Sequence, residues 1–150
     1  MKVRPAVSAD INKLIEFQLA MAQETEGINL DKKTVERGIR AVLNDIQKAR
    51  YFVAEDGKEL IGCFMVTPEW SDWRAGYFIW LQSVYVLPQN RKQGVFKEMF
   101  AYLKDVVSNN SDYRGIRLYV DRENQKAQKT YAKSGMESTN YELYEWSKQA

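Results

Sequence analysis

The sequence predicts an α+β fold with a mixed, mostly antiparallel central sheet flanked by about four helices. Three observations carry this. Tyr51 to Ala54 and Leu60 to Thr67 are apolar runs joined by Glu55-Asp56-Gly57-Lys58, which is the signature of a β-hairpin. At Gly94 the apolar period changes from that of a strand to that of a helix. The elements then follow the order strand, two helices, three antiparallel-type strands, helix, strand, helix, strand, and no repeat, low-complexity tract or linker divides the chain, so residues 1–150 read as a single domain.

Lys2 to Pro5 suits a short first strand. Ser8 and Asp10 open a helix whose apolar stripe is Ile11, Leu14, Ile15, Leu19 and Ala22, fading at Gln23 before Glu24-Thr25-Glu26-Gly27. Asp31 caps a second helix running through Ile46, with Val35, Ile39, Val42, Leu43 and Ile46 inward. After the hairpin, Pro68 to Ala75 interrupts the strand pattern, and a third strand runs from Gly76 to Leu87. That length favours a bulge within it. Val95/Phe96, Met99/Phe100, Leu103 and Val106/Val107 line one face of a helix ending near Ser108. Gly115 to Val120 is strand material with Ile116, Leu118 and Val120 on one side. Gln125 to Ser134 is a short helix closed by Gly135, and Glu137 to Trp146 ends the chain as a strand.

The segment from Leu81 to Leu103 organises the chemistry. Its strand ends near Leu87 at Pro88, and a polar turn leads to the helix, so the amides of Gln93, Gly94, Val95 and Phe96 lie at a helix start, which attracts anions. Gly94 permits close approach of the backbone to a ligand, and Arg91 and Lys92 add positive charge suited to a pyrophosphate. A basic, glycine-containing turn is also common in proteins that bind no phosphate.

Composition narrows the remaining chemistry. The 150 residues are 45% hydrophobic and 13% aromatic, enough for one folded core, and 22 basic against 20 acidic side chains exert no global pull on nucleic acid or membrane. The charged start lacks a following apolar run and no stretch approaches a bilayer span, so a cytoplasmic protein is expected. Cys63 is the only cysteine, which excludes an intrachain disulfide; it lies in a strand and reads as buried. With no histidine, Ser-His and Cys-His pairs and the two-histidine zinc helix are excluded, and no metal site is expected. Catalysis must use carboxylates, tyrosines, amides or backbone dipoles.

The run V-x-V-x-P-x-x-R-K-Q-G-V-F resembles the acetyl-CoA-binding motif of the GNAT family of N-acetyltransferases, Arg/Gln-x-x-Gly-x-Gly/Ala after a hydrophobic strand. Arg91 and Gly94 match its first two fixed positions, while Phe96 stands where the family has a small residue. A second stretch, Asp121-Arg122-Glu123-Asn124 with Ala127, Tyr131 and Gly135-Met136, resembles the family's Asn-x-x-Ala-x-x-x-Tyr-x-x-x-Gly-Phe pattern. The resemblance implies a GNAT-like fold and acetyl-CoA as acyl donor. It also implies that the backbone of Val84, Tyr85 and Val86 holds the pantetheine arm as an extra strand, with Arg91, Lys92, Gln93, Gly94, Val95 and Phe96 at the pyrophosphate. A bulge would free an amide for the thioester carbonyl. Tyr131 would protonate the departing thiolate, and Asn124 would bond the pantetheine or simply cap its helix.

The implied reaction is direct transfer of acetyl to an amine in a ternary complex, with a fold relative that binds acyl-CoA without turnover as the alternative. Several members of the family carry an acid on the strand before the turn, where this chain has Gln82-Ser83. Glu24 and Glu26 are then the base candidates, followed by Glu69 and Asp72, each of which also reads as a solvated surface charge. Trp70, Trp73, Tyr77, Trp80 and Tyr85 suggest an aromatic lining for a cationic amine, or an interface. A small amine or a peptide or protein amino group is the expected acceptor, with no nucleic-acid partner, and a homodimer is compatible with the family.

Overall fold

The computed structural model describes residues 1–149, which group into two compact units divided between Leu118 and Tyr119. The first contains β1 (Lys2–Pro5), a 3-10 turn at Ser8–Asp10, α1 (Ile11–Glu26), α2 (Lys32–Asn44), β2 (Arg50–Asp56), β3 (Glu59–Ser71), β4 (Gly76–Val86), α3 (Val95–Ser108) and β5 (Tyr113–Arg117). The five strands form one sheet in sequential order; all neighbours are antiparallel except β4 and β5, which α3 connects in parallel.

Local chemistry sets the helix limits. Asp31 accepts hydrogen bonds from the Thr34 amide (3.1 Å) and hydroxyl (2.6 Å), which starts α2 where its sequence predicts. Gly27 closes α1 in the left-handed region (φ 65°), its N–H donating to the Gln23 carbonyl, so the helix runs past Gln23 to Glu26. α2 stops at Asn44, short of the expected Ile46, because Asp45 turns extended; Ile46 is left 73% exposed.

Two apolar layers sandwich the sheet. On one face Leu14, Ile15 and Phe17 of α1 and Ile39 and Val42 of α2 cover Tyr51, Val53, Cys63 and Tyr85. On the other, Phe52 stacks on Phe64 with centroids 4.9 Å apart, and Leu81 and Val84 meet Met99, Phe100 and Leu103 of α3. Each fully buried side chain of this size stabilises the fold by about 1.5–3 kcal/mol. Gly62 sits where β4 and α3 crowd β3: a Cβ there would lie 2.8 Å from the Tyr85 carbonyl oxygen and 3.5 Å from side-chain atoms of Val95 and Met99.

Pro68 does not break the strand as its sequence suggests. It sits inside β3 opposite Ile79, because the pairing of β3 with β2 ends at Val66 and the edge beyond is open, so the missing N–H leaves no partner wanting. The expected bulge in the long strand is present. Cys63 faces Tyr85 and Met65 faces Gln82, so Ser83 and Val84 together oppose Phe64, with Ser83 at φ 53°.

The second unit holds α4 (Gln125–Lys133). The Asn124 side chain accepts from the Ala127 amide (3.1 Å), and Gly135 follows the helix at φ 93°. Glu137 to Trp146 corrects the expectation of a last strand: it forms no ladder among the described residues, and Tyr141, Leu143, Tyr144 and Trp146 are exposed. Among its described residues the unit contains no second strand to pair with it, and strand propensity alone does not sustain a ladder.

Candidate functional site

The parallel pairing of β4 and β5 stops at Trp80 opposite Arg117. From Leu81 to Val86, β4 continues to pair with β3 on its other side, so its edge facing away from β3 has no ladder partner among the described residues. Val84, Tyr85 and Val86 lie on this open edge beside the bulge. The strand then runs through Pro88–Asn90, a single 3-10 turn, into the basic turn.

Gly94 is the N-cap of α3 with φ 82°, a conformation that favours glycine, and it offers no side chain to the first-turn amides. Its carbonyl accepts the first helical bond, from the Glu98 amide at 3.0 Å. Lys92 is also left-handed, at φ 62°. Gln93 and Val95 flank Gly94, and the Gln93 side chain donates to the Gln89 carbonyl at 2.9 Å, bracing the turn. The Phe96 ring stacks along the helix on Phe100, with centroids 5.8 Å apart. This arrangement of helix start, glycine and cations is electrostatically suited to a polyphosphate.

A charged cluster ties the turn to α1. Arg91 donates to Glu24 Oε2 at 2.6 Å and through Nε to the Val86 carbonyl at 2.9 Å, while the Tyr85 hydroxyl donates to Glu24 Oε1 at 3.0 Å. The Arg91 guanidinium beside it holds the Glu24 carboxyl below the usual carboxylate range. Burial, and then the adjacent Glu24 carboxylate, pushes the Tyr85 phenol up. The structure thus joins Glu24, Tyr85, Val86 and Arg91 and leaves out Glu26, exposed at the last position of α1 with no ion partner among the described residues. Within the second unit, Asn124 caps α4, and Tyr131 is half-buried, with burial pushing its phenol up.

The tryptophans and tyrosines do not form one lining. Strand alternation sends Trp70 and Tyr77 to one face, where their rings meet edge to face at 4.9 Å, and Trp80 and Tyr85 to the other; Trp73 is 91% exposed at the hairpin tip. On the Trp80 face, Glu69 Oε1 accepts from Trp80 Nε1 (2.9 Å) and Arg117 Nη1 (3.1 Å), and Gln82 donates to the Thr67 hydroxyl (2.7 Å). Asp72 lies in the exposed tip. The sequence reading passed over Arg117 and Phe78. The one local signal for Arg117 is the alternation of β5, which puts it on the face opposite Ile116.

Comparison with known proteins agrees with this geometry. The model of the acetyltransferase (GNAT) family matches residues 17–136. A crystal structure of a possible acetyltransferase from Clostridium difficile 630 is 36% identical, with TM-score 0.95, over 99% of this chain and 98% of that one. A predicted acetyltransferase with acetyl-CoA from Clostridium acetobutylicum shares the fold at 19% identity, with TM-score 0.77 over 95% and 94% of the chains. A ribosomal-protein-alanine N-acetyltransferase from Brucella melitensis does so at 16%, with TM-score 0.79 over 98% and 99%. No curated protein sequence matches the chain. The chain belongs to the GNAT acetyltransferase family. No helix among the described residues is long and apolar enough to cross a membrane.

Proposed function

We propose that the protein is an acetyl-CoA-dependent N-acetyltransferase, the whole chain acting as one domain, that transfers acetyl directly to an amine within a ternary complex. The observation that carries this reading is the open β4 edge from Leu81 to Val86 leading into the left-handed Gly94 start of α3. The edge fits an extended, amide-bearing pantetheine arm, and the turn fits its pyrophosphate. Val84, Tyr85 and Val86 would hold the arm, and Arg91, Lys92 and the amides from Gln93 to Phe96 would hold the phosphates; Asn124 is assigned to the arm by the family resemblance alone.

Acetyl-CoA supplies an acetyl group activated as a thioester. The amine nitrogen bonds to the acetyl carbon, the carbon–sulfur bond breaks, and the pair of electrons leaves on sulfur. The family resemblance assigns the sulfur's proton to Tyr131, whose phenol is protonated at neutral pH and which burial pushes further up. The amine's proton passes to Glu24 or Glu26. Because Arg91 keeps the Glu24 carboxyl low, Glu24 serves as a relay to water rather than as a final store.

The test is a calorimetric titration with acetyl-CoA beside an adenine nucleotide that lacks the pantetheine arm. Binding that requires the arm, followed by thiol release when amines are added, is the expected result. Absence of acetyl-CoA binding at millimolar concentration overturns the reading. Binding with no thiol release across an amine panel favours a non-catalytic acyl-CoA sensor.

A further inference from the structure

Toward the hairpin-tip end of the sheet, before β4 reaches the bulge, a second polar group gathers around Phe78 with its charge unbalanced. The Arg117 guanidinium lies 3.6 Å from the centroid of the Phe78 ring, and that of Arg74 lies 5.2 Å from the same centroid. Glu69 pairs with Arg117, and among the described residues Arg74 has no acidic partner. Asp72 and Asp112, in the adjoining loops, bond neither guanidinium. Arg114 adds a third cation nearby, spent on the carbonyls of Arg74, Ala75 and Ser111, which pin the hairpin tip to β5. One carboxylate therefore faces several arginines. Arg117 uses Nη1 on Glu69, while Nε and Nη2 have no partner among the described residues. A guanidinium held over an aromatic ring, with donors to spare and 30% of its side chain exposed, is preorganised for a planar anion.

Its position gives the group a function. Arg117 occupies the last row at which β5 pairs with β4, on the same sheet face as Gln82 and Tyr85, where the two strands part. Along β4, Trp80 precedes the Ser83 bulge by three residues and Phe78 by five. At the rise of an extended strand this places the guanidinium roughly 10–16 Å from the bulge.

We propose that Arg117, with Arg74 beside it, anchors a carboxylate of the acceptor, so that the preferred acceptor is an amine carrying an anionic group roughly 10–16 Å away. The inference rests on the proposed function, because it measures from the bulge at which the acetyl group is transferred. Simple monoamines and free α-amino acids acetylated at the α-amine lack this span; long ω-amino acids and short acidic peptides have it.

The experiment is calorimetric titration of the CoA-saturated protein with ω-aminooctanoate and ω-aminododecanoate, each paired with its neutral primary amide. At least one carboxylate is expected to bind about tenfold more tightly than its amide. Arg117→Gln should make the two equal, and Arg117→Lys should restore part of the preference, with thermal unfolding confirming that both variants fold. Equal binding of every acid and its amide to the unsubstituted protein, or no binding of either, overturns the inference. So does a preference that survives Arg117→Gln. Should CoA itself fail to bind, the proposed function falls, and that failure is seen before any amine is added.

Discussion

At the scale of single residues, Arg91 has two demands on its charge, since the pyrophosphate that it would bind competes with Glu24, already 2.6 Å away. Arg91→Ala should weaken acetyl-CoA binding about tenfold in a calorimetric titration, a loss softened by the solvent exposure of the pair. Glu24→Gln should weaken it less, or strengthen it, because it removes the competitor. Tyr131→Phe separates binding from chemistry: turnover should fall while acetyl-CoA affinity stays nearly unchanged, and unchanged turnover would remove Tyr131 from the reaction. A further residue-scale device fastens the start of the chain. Asp10 accepts from Arg4 at 2.8 and 3.1 Å and from the Val7 amide at 2.8 Å. Burial pushes its carboxyl up, but these hydrogen bonds and the Arg4 charge outweigh burial and hold it below the usual range. The stability it contributes is therefore complete above the ordinary aspartate pKa near about 4 and is lost as pH falls through the lower, folded value. Asp10→Asn should cost about 1.5–3 kcal/mol at neutral pH and flatten the acid limb of a pH–stability curve.

At the scale of elements, two glycines hold the site in shape for different reasons. Gly94 needs its left-handed φ of 82°, and nothing lies within 4 Å of where its Cβ would be, so Gly94→Ala is purely a backbone substitution. It should cost about 1–2 kcal/mol and weaken acetyl-CoA binding by moving the turn, read as a lower melting temperature and a higher Kd. Gly62 has an ordinary φ but no room: its Cβ would press on the Tyr85 carbonyl, a backbone atom that cannot swing away. Gly62→Ala should push β3 and β4 apart one row from the bulge, at about 1–3 kcal/mol, and measured turnover should fall with it. The two strands also show how local patterning misleads. The aromatic cluster expected between Trp70 and Tyr85 dissolves because a strand sends alternate residues to opposite faces, so Trp70 and Tyr77 leave the face that holds Trp80 and Tyr85.

At the scale of the whole molecule, Cys63 reports on the integrity of the first unit. It is fully buried beneath α1, and burial pushes its thiol up to about 12. Labelling by a thiol-reactive probe at neutral pH should therefore proceed only through opening of the core, with a rate that follows denaturant-measured stability; rapid labelling of the native protein would contradict the packing of α1 on the sheet.

The sequence by itself determined the α+β class, the hairpin at Asp56-Gly57, the bulge in the long strand, the cap at Asp31, the start of α3 at Gly94 and the family resemblance. Each of these depends on residues close together in the chain, whose period, caps and turn preferences act locally. Only the tertiary structure decided what Glu24 and Arg91 do, since they are 67 positions apart and meet because α1 crosses β4. It likewise decided that Pro68 stays within its strand, because β2 ends beside it. It also brought Arg117 to Glu69 across 48 positions. Contacts of that reach follow from sheet register and a parallel crossover, and no local pattern encodes which side chains those will place together.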